Sequence, residues 1–161
     1  MTTTGLDVFD STLQKTNTWL KEIEAELGPD RHRSYEAMRA VLHALRDRLT
    51  VDEAAHLGDQ LPMLVRGIYY EGYHPAGKPE KIRSRDEFLE RINRRMGPAS
   101  ARLRNARPVG ADDAARATFR VISRNCDPGE VRQVIGSLPA EIRSLWPDHE
   151  RFMSESAVRV D

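Results

Sequence analysis

The sequence contains a single cysteine, Cys126, and no long hydrophobic run. One cysteine cannot form a disulfide within the chain, so nothing points to an oxidising compartment. No apolar stretch approaches the roughly 20 residues that a membrane-spanning helix needs. The first residues also lack the basic region and apolar stretch of a secretory signal peptide. We therefore predict a cytoplasmic protein that makes no membrane contact.

The chain also lacks an excess of one charge, since 25 basic and 25 acidic residues give a formal net charge of zero. This balance provides no bulk attraction to nucleic acid or membranes. The distribution is uneven, because residues 81–124 hold 12 basic and 5 acidic side chains, whereas residues 1–30 hold 2 and 6. Such blocks usually attract each other within a fold, and an anion-binding surface on residues 81–124 is the alternative. With only Phe88 and Phe119 as aromatics, this block offers no stacking platform, which disfavours nucleic acid.

Apolar residues recur three and four positions apart along most of the chain, which predicts amphipathic helices. In the first predicted helix they are Phe9, Leu13, Leu20, Ile23 and Leu27. In the second they are Met38, Val41, Leu42, Leu45 and Leu49. No segment shows a convincing strand alternation, so the predicted fold class is all-α.

The second half of the sequence repeats the first. Residues 39–69 align without a gap on residues 116–146, which lie 77 positions later, and the apolar positions of the two segments coincide. The identical pairs are Arg39/Arg116, Ala40/Ala117, Glu53/Glu130, Leu61/Leu138, Pro62/Pro139 and Arg66/Arg143. Part of the first helix, residues 19–23, likewise matches residues 88–92. We therefore predict two tandem copies of one helical unit, packed as a pseudo-twofold bundle because neither copy can bury its apolar stripe alone.

Each predicted unit has two longer helices followed by two short ones, which are split where Pro62 or Pro139 breaks the helix. The predicted division is a first repeat over residues 7–73, a linker over 74–84, a second repeat over 85–147 and a polar, frayed tail over 148–161. The second copy also carries an extra loop, at residues 99–109.

We predict no metal, no cofactor and no catalytic residue. Glu53 and His56 lie on one helical face, which is half of a di-iron carboxylate pattern, but the repeat has Glu130 and Gln133 at the equivalent positions. Cys126 occupies a core position, which favours a buried thiol over a nucleophile. The sequence has no glycine-rich phosphate loop and no nucleophile elbow.

The stretch at residues 70–87 is the most informative for function. Gly72 follows a helix as its cap, where a positive φ favours glycine, and two prolines stiffen the chain beyond it. One interpretation is a rigid clasp in which Glu71 pairs with Arg83 or Arg85. The other is a binding surface able to meet a carboxylate or phosphate. The candidate residues for either role are Glu71, Tyr73, His74, Lys78, Arg83 and Arg85.

This stretch resembles the domain-of-unknown-function 2267 family. The resemblance rests on residues 69–75 (Tyr-Tyr-Glu-Gly-Tyr-His-Pro), 78–79 (Lys-Pro) and 82–89 (Ile-Arg-Ser-Arg-Asp-Glu-Phe-Leu). Leu138-Pro139, Ile142 and Leu145-Trp146-Pro147 resemble the second half of the family, so the resemblance extends over residues 9–147. It implies a bacterial, duplicated, all-helical domain, and it carries over no activity.

The function that the sequence favours is a non-catalytic binding or scaffolding module. Its partner would be an unknown protein or a second copy of the chain. Anion or nucleic-acid binding through residues 81–124 is the first alternative, and an unrecognised helical enzyme is the second.

Overall fold

The computed structural model describes residues 3–97 and 109–157, without the side chains of residues 155–157, and these ranges contain helices and no strand. The all-α prediction is confirmed. The helices are α1 (Asp7–Leu27), α2 (Arg31–Arg48), α3 (Val51–Asp59), α4 (Met63–Tyr70), α5 (Arg85–Arg95), α6 (Ala111–Asn125), α7 (Pro128–Ser137), α8 (Ala140–Arg143) and α9 (His149–Ala157). The predicted loop at residues 99–109 lies outside the described residues except for Val109.

Local signals in the sequence determine where several helices begin. Helix α3 starts with a complete capping box, in which Thr50 accepts a hydrogen bond from the backbone of Glu53 and the Glu53 carboxylate accepts one in return. Asp127 caps α7, since its carboxylate accepts a hydrogen bond from the Glu130 amide, with Pro128 at the first helical position. Pro62 and Pro139 directly precede α4 and α8, so the predicted helix breaks are confirmed.

The core forms around α2, which packs against α1, α5 and α6. The largest side chains of the core are almost fully buried: Trp19, Tyr69, Phe88, Phe119 and Trp146. Phe119 stacks on Trp146 with ring centroids 4.2 Å apart and planes tilted by 9°. Truncating a buried aromatic residue to alanine costs about 3–5 kcal/mol, so this aromatic group is a major source of stability.

The predicted apolar stripe of α1 is buried over only part of its length. Trp19, Leu20, Ile23 and Leu27 are in the core, as the periodicity predicts, whereas Phe9 and Leu13 are exposed. The first buried side chain of α1 is Thr16, because the 21-residue helix extends beyond the helices that cover its second half. The apolar face of α1 therefore contributes to the core only in the second half of the helix.

The C-terminal segment also differs from expectation. Residues 149–157 form α9, where we predicted a frayed polar tail. This helix packs against α7, with Phe152 and Met153 partly buried against the core. Two apolar residues in a polar segment are too weak a pattern to predict a helix, but α7 provides a surface that covers them.

Candidate functional site

The turn after α4 has the predicted geometry. Gly72 has φ of 72°, in the left-handed region that favours glycine, so the predicted cap is confirmed. The next residue turns back onto the helix, since the Tyr73 amide donates to the Tyr70 carbonyl at 3.0 Å. Tyr73 is partly buried, and the guanidinium carbon of Arg46 lies 5.4 Å from its ring centroid. Tyr73 therefore packs against the body of the protein.

A buried carboxylate joins α2 to the linker and to α5. Asp47 is only 4% exposed. Its Oδ1 lies 3.2 Å from Nε of Arg46 and 3.9 Å from Nζ of Lys78, and its Oδ2 lies 2.7 Å from Nη2 of Arg95. Its backbone carbonyl accepts a hydrogen bond from the Glu80 amide at 2.8 Å. Asp47 thus connects three parts of the fold that are far apart in the sequence.

Lys78, one of the predicted binding residues, belongs to this ionic network. Its ammonium lies 3.5 Å from Glu80 as well as near Asp47, and its side chain is mostly buried. Glu80 in turn pairs with Arg91 on α5 at 2.9 Å. Lys78 therefore holds the linker against α2 and α5.

Arg46 holds the end of α4. Its Nη1 donates to the carbonyl oxygens of Tyr69 at 2.7 Å and Glu71 at 2.6 Å. Carbonyl groups at a helix C-terminus lack partners within the helix, and a cation stabilises them. Arg46 is therefore fully engaged in the fold.

The predicted pairing of Glu71 with Arg83 or Arg85 is wrong. The Glu71 carboxylate instead lies 3.2 Å from Nη2 of Arg39, because α2 runs beside the end of α4. The backbone amide of Arg85 donates to Glu141 on α8 at 3.0 Å. Arg83 is exposed. The two arginines that precede and begin α5 therefore do not close the clasp.

His43 lies on α2 beneath the end of α4 and is only 4% exposed. Its Nε2 lies 2.7 Å from the Ile68 carbonyl oxygen, which can only accept, so Nε2 carries the hydrogen. The pKa of His43 is lowered to about 4, mainly by burial; the hydrogen bond to Ile68 opposes this shift, and the charges of Arg46, Arg39 and Arg95 contribute to it. At neutral pH the imidazole is therefore uncharged, with Nδ1 as an acceptor.

These side chains surround a cavity of about 350 Å³, which we call the linker pocket. Its lining residues are Arg39, His43, Arg46, Asp47, Glu71, Gly72, His74, Lys78, Glu80 and Arg95. The sequence identified Glu71, His74 and Lys78 as candidates and missed the residues from α2 and α5. A usable signal was the spacing of Arg39, His43 and Arg46 within the mostly apolar residues 37–46 of α2, which places the three on one helical face.

A second surface is apolar and lies at the start of α1 and α4. We call it the apolar surface, and its six large side chains are each 40–53% exposed: Leu6, Val8, Phe9, Leu13, Met63 and Leu64. Beside it, a groove of about 380 Å³ passes Gly67, where an added Cβ would meet no atom within 4 Å. The Leu64 amide donates to Oγ1 of Thr12 at 2.9 Å, which fixes the start of α4 on α1.

The basic block contacts the acidic segments of the fold. Arg120 on α6 pairs with Glu26 on α1, and Asn125 donates to Glu22 at 3.2 Å. Arg95 pairs with Asp47 across to α2. Part of the positive charge of this block is therefore paired with carboxylates on other helices, as the predicted attraction between helices requires.

The described residues contain no group of three or more histidine, cysteine, aspartate or glutamate side chains that could hold a metal ion. Cys126 is 8% exposed, so the predicted buried thiol is confirmed. Burial, with the nearby Glu130 charge, raises the pKa of its thiol to about 12. Among the same residues, no helix has both the length and the apolar character to span a bilayer.

Comparison with protein families identifies the chain. The family model described as "uncharacterized conserved protein (DUF2267)" matches residues 16–145. The chain belongs to the DUF2267 family. The resemblance seen in the linker and in the second half is thus confirmed, whereas comparison with curated proteins gives no match.

The linker pocket and the apolar surface differ in how many of their residues fall within the segment that matches the DUF2267 family. Every lining residue of the linker pocket falls within residues 16–145. Four of the six apolar-surface residues, from Leu6 to Leu13, precede the matched segment, and only Met63 and Leu64 fall inside it. The linker pocket is therefore built from family sequence, whereas most of the apolar surface comes from outside it.

Proposed function

We propose that this protein is a non-catalytic binding module that associates with a second copy of itself through the apolar surface. The observation that carries the proposal is the grouping of large apolar side chains, each about half exposed, at the start of α1 and α4: Phe9, Leu13, Met63 and Leu64 line one groove, and Val8 and Met63 line the next. Water-exposed apolar side chains that form a contiguous patch are typical of interaction surfaces, whereas isolated ones need no explanation.

The length of α1 supports this interpretation. In the alignment of the two halves, Thr16 on α1 corresponds to Arg85, the first residue of α5. Residues 7–15 thus have no helical counterpart in the second half. The buried side chains of α1 begin at Thr16, so this extension contributes little to the core. An extension that leaves Phe9 and Leu13 in water is costly unless a partner covers them.

Charge along α1 favours a second copy as that partner. Asp7 and Asp10 lie in the first turn, and Lys15 lies two turns later beside Val8 and Met63. In a twofold dimer with its axis perpendicular to α1, the two helices run antiparallel. This arrangement brings the acidic turn of each helix toward the level of Lys15 on the other. A surface of six large side chains fits a reversible dimer, because obligate interfaces are much larger and bury about 2,000 Å² or more.

Sedimentation equilibrium over a concentration series up to ~1 mM, which detects association free energies of about 4 kcal/mol, tests the proposal. We expect a monomer–dimer equilibrium that Phe9→Ser combined with Leu13→Ser abolishes. Val51→Ser is the matched control, because Val51 is 41% exposed on α3, away from the apolar surface. A chain that stays monomeric throughout, or a dimer that the double substitution leaves unchanged, would overturn the proposal.

We also propose that helices α1–α4 and α5–α8 are copies of one unit. Arg66 donates to the carbonyl oxygens of Gly58, Asp59 and Leu61. Arg143 donates to those of Ile135, Gly136 and Leu138, each of which lies 77 positions after its counterpart. Helix packing supports the same relation, since α2 packs on α5 just as α6 packs on α1, and α2 packs on α6. Such a module has two similar halves, of which only the first carries the α1 extension.

A further inference from the structure

We propose that the linker pocket binds a small oxyanion, with the guanidinium groups of Arg39 and Arg95 as its main donors. Both arginines line the same cavity of about 350 Å³, although one lies on α2 and the other on α5. The shared chemistry is a phosphate or carboxylate group, which accepts paired N–H donors from arginine. This site is separate from the apolar surface, so the result of the self-association experiment does not decide whether the linker pocket binds an oxyanion.

Donor groups on the two arginines remain available. Arg39 directs Nη2 to Glu71, and Arg95 directs Nη2 to Asp47. A guanidinium carries five N–H donors, so these bonds leave most of the donors of each group unused. The two side chains are 33% and 30% exposed, which lets their remaining donors face the pocket.

The charges around the pocket favour an anion. Four cationic side chains line it, namely Arg39, Arg46, Lys78 and Arg95, against three carboxylates, namely Asp47, Glu71 and Glu80. Both oxygens of Asp47 are already engaged with cations and the residue is almost fully buried, so its charge is shielded from an incoming ligand. The pKa of His43 is lowered mainly by burial, but the charges of Arg46, Arg39 and Arg95 contribute to the shift, so the imidazole lies in the field of three arginines.

The donors are also held in place before any ligand arrives. Arg95 is anchored by Asp47 at 2.7 Å, and Arg39 by Glu71 at 3.2 Å. Asp47 is itself fixed by Arg46 and Lys78. Binding by such preorganised groups loses little side-chain entropy, which favours affinity for a ligand of only a few atoms.

The test is a titration of the ¹⁵N-labelled full-length protein with sodium phosphate, sodium acetate and sodium chloride at matched ionic strength and constant pH. We expect saturable shifts of the Gly72 and His74 amide resonances with phosphate or acetate and none with chloride. Tighter phosphate binding would indicate a phosphate-bearing ligand, and tighter acetate binding a small organic acid. Equal responses to all three salts would mean ionic screening and would overturn the proposal.

Arg39→Gln is the decisive variant, because its pair with Glu71 is partly exposed and its loss should not unfold the chain. We expect it to weaken binding at least about tenfold, the effect of losing one charged hydrogen bond, and Arg39→Lys to restore part of the affinity. Arg94→Gln is the matched control, since Arg94 pairs with Glu90 on the exposed face of α5. Unchanged affinity in a folded Arg39→Gln protein, verified by its thermal transition, would refute the assignment.

Discussion

Removing the buried carboxylate of Asp47 should be one of the most destabilising single changes in the chain. Asp47→Ala leaves the guanidinium of Arg46, which is almost fully buried, without its carboxylate partner. Breaking a buried ion pair from one side costs about 3–5 kcal/mol, because the remaining charge is uncompensated. Since total stabilities are about 5–15 kcal/mol, such a loss is a large fraction of the whole.

The surroundings of each cation refine this magnitude. Arg46 keeps its hydrogen bonds to the carbonyls of Tyr69 and Glu71, and Arg95 is partly exposed and can be hydrated. Both features reduce the cost of losing the carboxylate, so we expect about 3 kcal/mol, at the lower end of the range for buried pairs. In a chain of 161 residues this corresponds to a fall in Tm of about 6–12 °C.

Urea denaturation followed by far-ultraviolet circular dichroism measures the effect. The urea concentration at the midpoint should fall, whereas the slope of the unfolding free energy against urea concentration should stay constant. A constant slope shows that the stability has changed and the compactness of the unfolded state has not. Glu90→Ala is the control, because Glu90 forms an exposed pair with Arg94 on α5 and should cost less than about 0.5 kcal/mol. A loss below about 1 kcal/mol for Asp47→Ala would show that the network is solvated, and would refute the reasoning.

Four further predictions follow from the same contacts. Because the pKa of His43 is lowered to about 4, the unfolded state, with its ordinary pKa near 6.5, binds the proton first as the pH falls. The free energy of unfolding, measured by urea denaturation at each pH, should therefore decline by about 3 kcal/mol between pH 6.5 and 4. For His43→Gln it should depend less on pH. The buried thiol of Cys126, with its pKa raised to about 12, should not react with a disulfide reagent at pH 8 until the protein unfolds; rapid reaction of the folded chain would contradict this. Tyr69→Phe should cost about 1 kcal/mol on denaturation, since the hydroxyl donates to the Ala54 carbonyl at 2.7 Å, and a neutral result would mean that this carbonyl finds another donor. Arg66→Ala and Arg143→Ala should lower stability by similar amounts, about 1–3 kcal/mol each, and very different losses would argue against their equivalence.

The positions of most helices could be predicted from the sequence because their signals are local. The capping box at Thr50 and Glu53 and the prolines at 62 and 139 act on the backbone within one turn of themselves. The turn at Gly72 depends only on the backbone freedom of that residue. Such features need no knowledge of what the helix packs against, so they hold in the folded protein.

The candidate site was only partly predictable. The linker pointed to Glu71, His74 and Lys78, all of which line the linker pocket. The ion pairs around them were beyond a sequence argument, because Arg39 and Arg95 come from segments far from the linker in the chain. A charged side chain pairs with whichever opposite charge the packing brings within about 4 Å, and distance along the chain does not determine that.

The sequence by itself therefore determined the helices before α9, several of their caps and the presence of apolar faces on them. Only the tertiary structure decided which parts of those faces are covered and which charges meet. Periodicity shows that Phe9 and Leu13 share a face with Ile23, but burial depends on whether another helix lies opposite each turn. The same limit applies to Asp47, whose burial among three cations results from the packing of α2, the linker and α5. Local preferences act over a few residues, whereas burial and charge pairing depend on the arrangement of the whole chain.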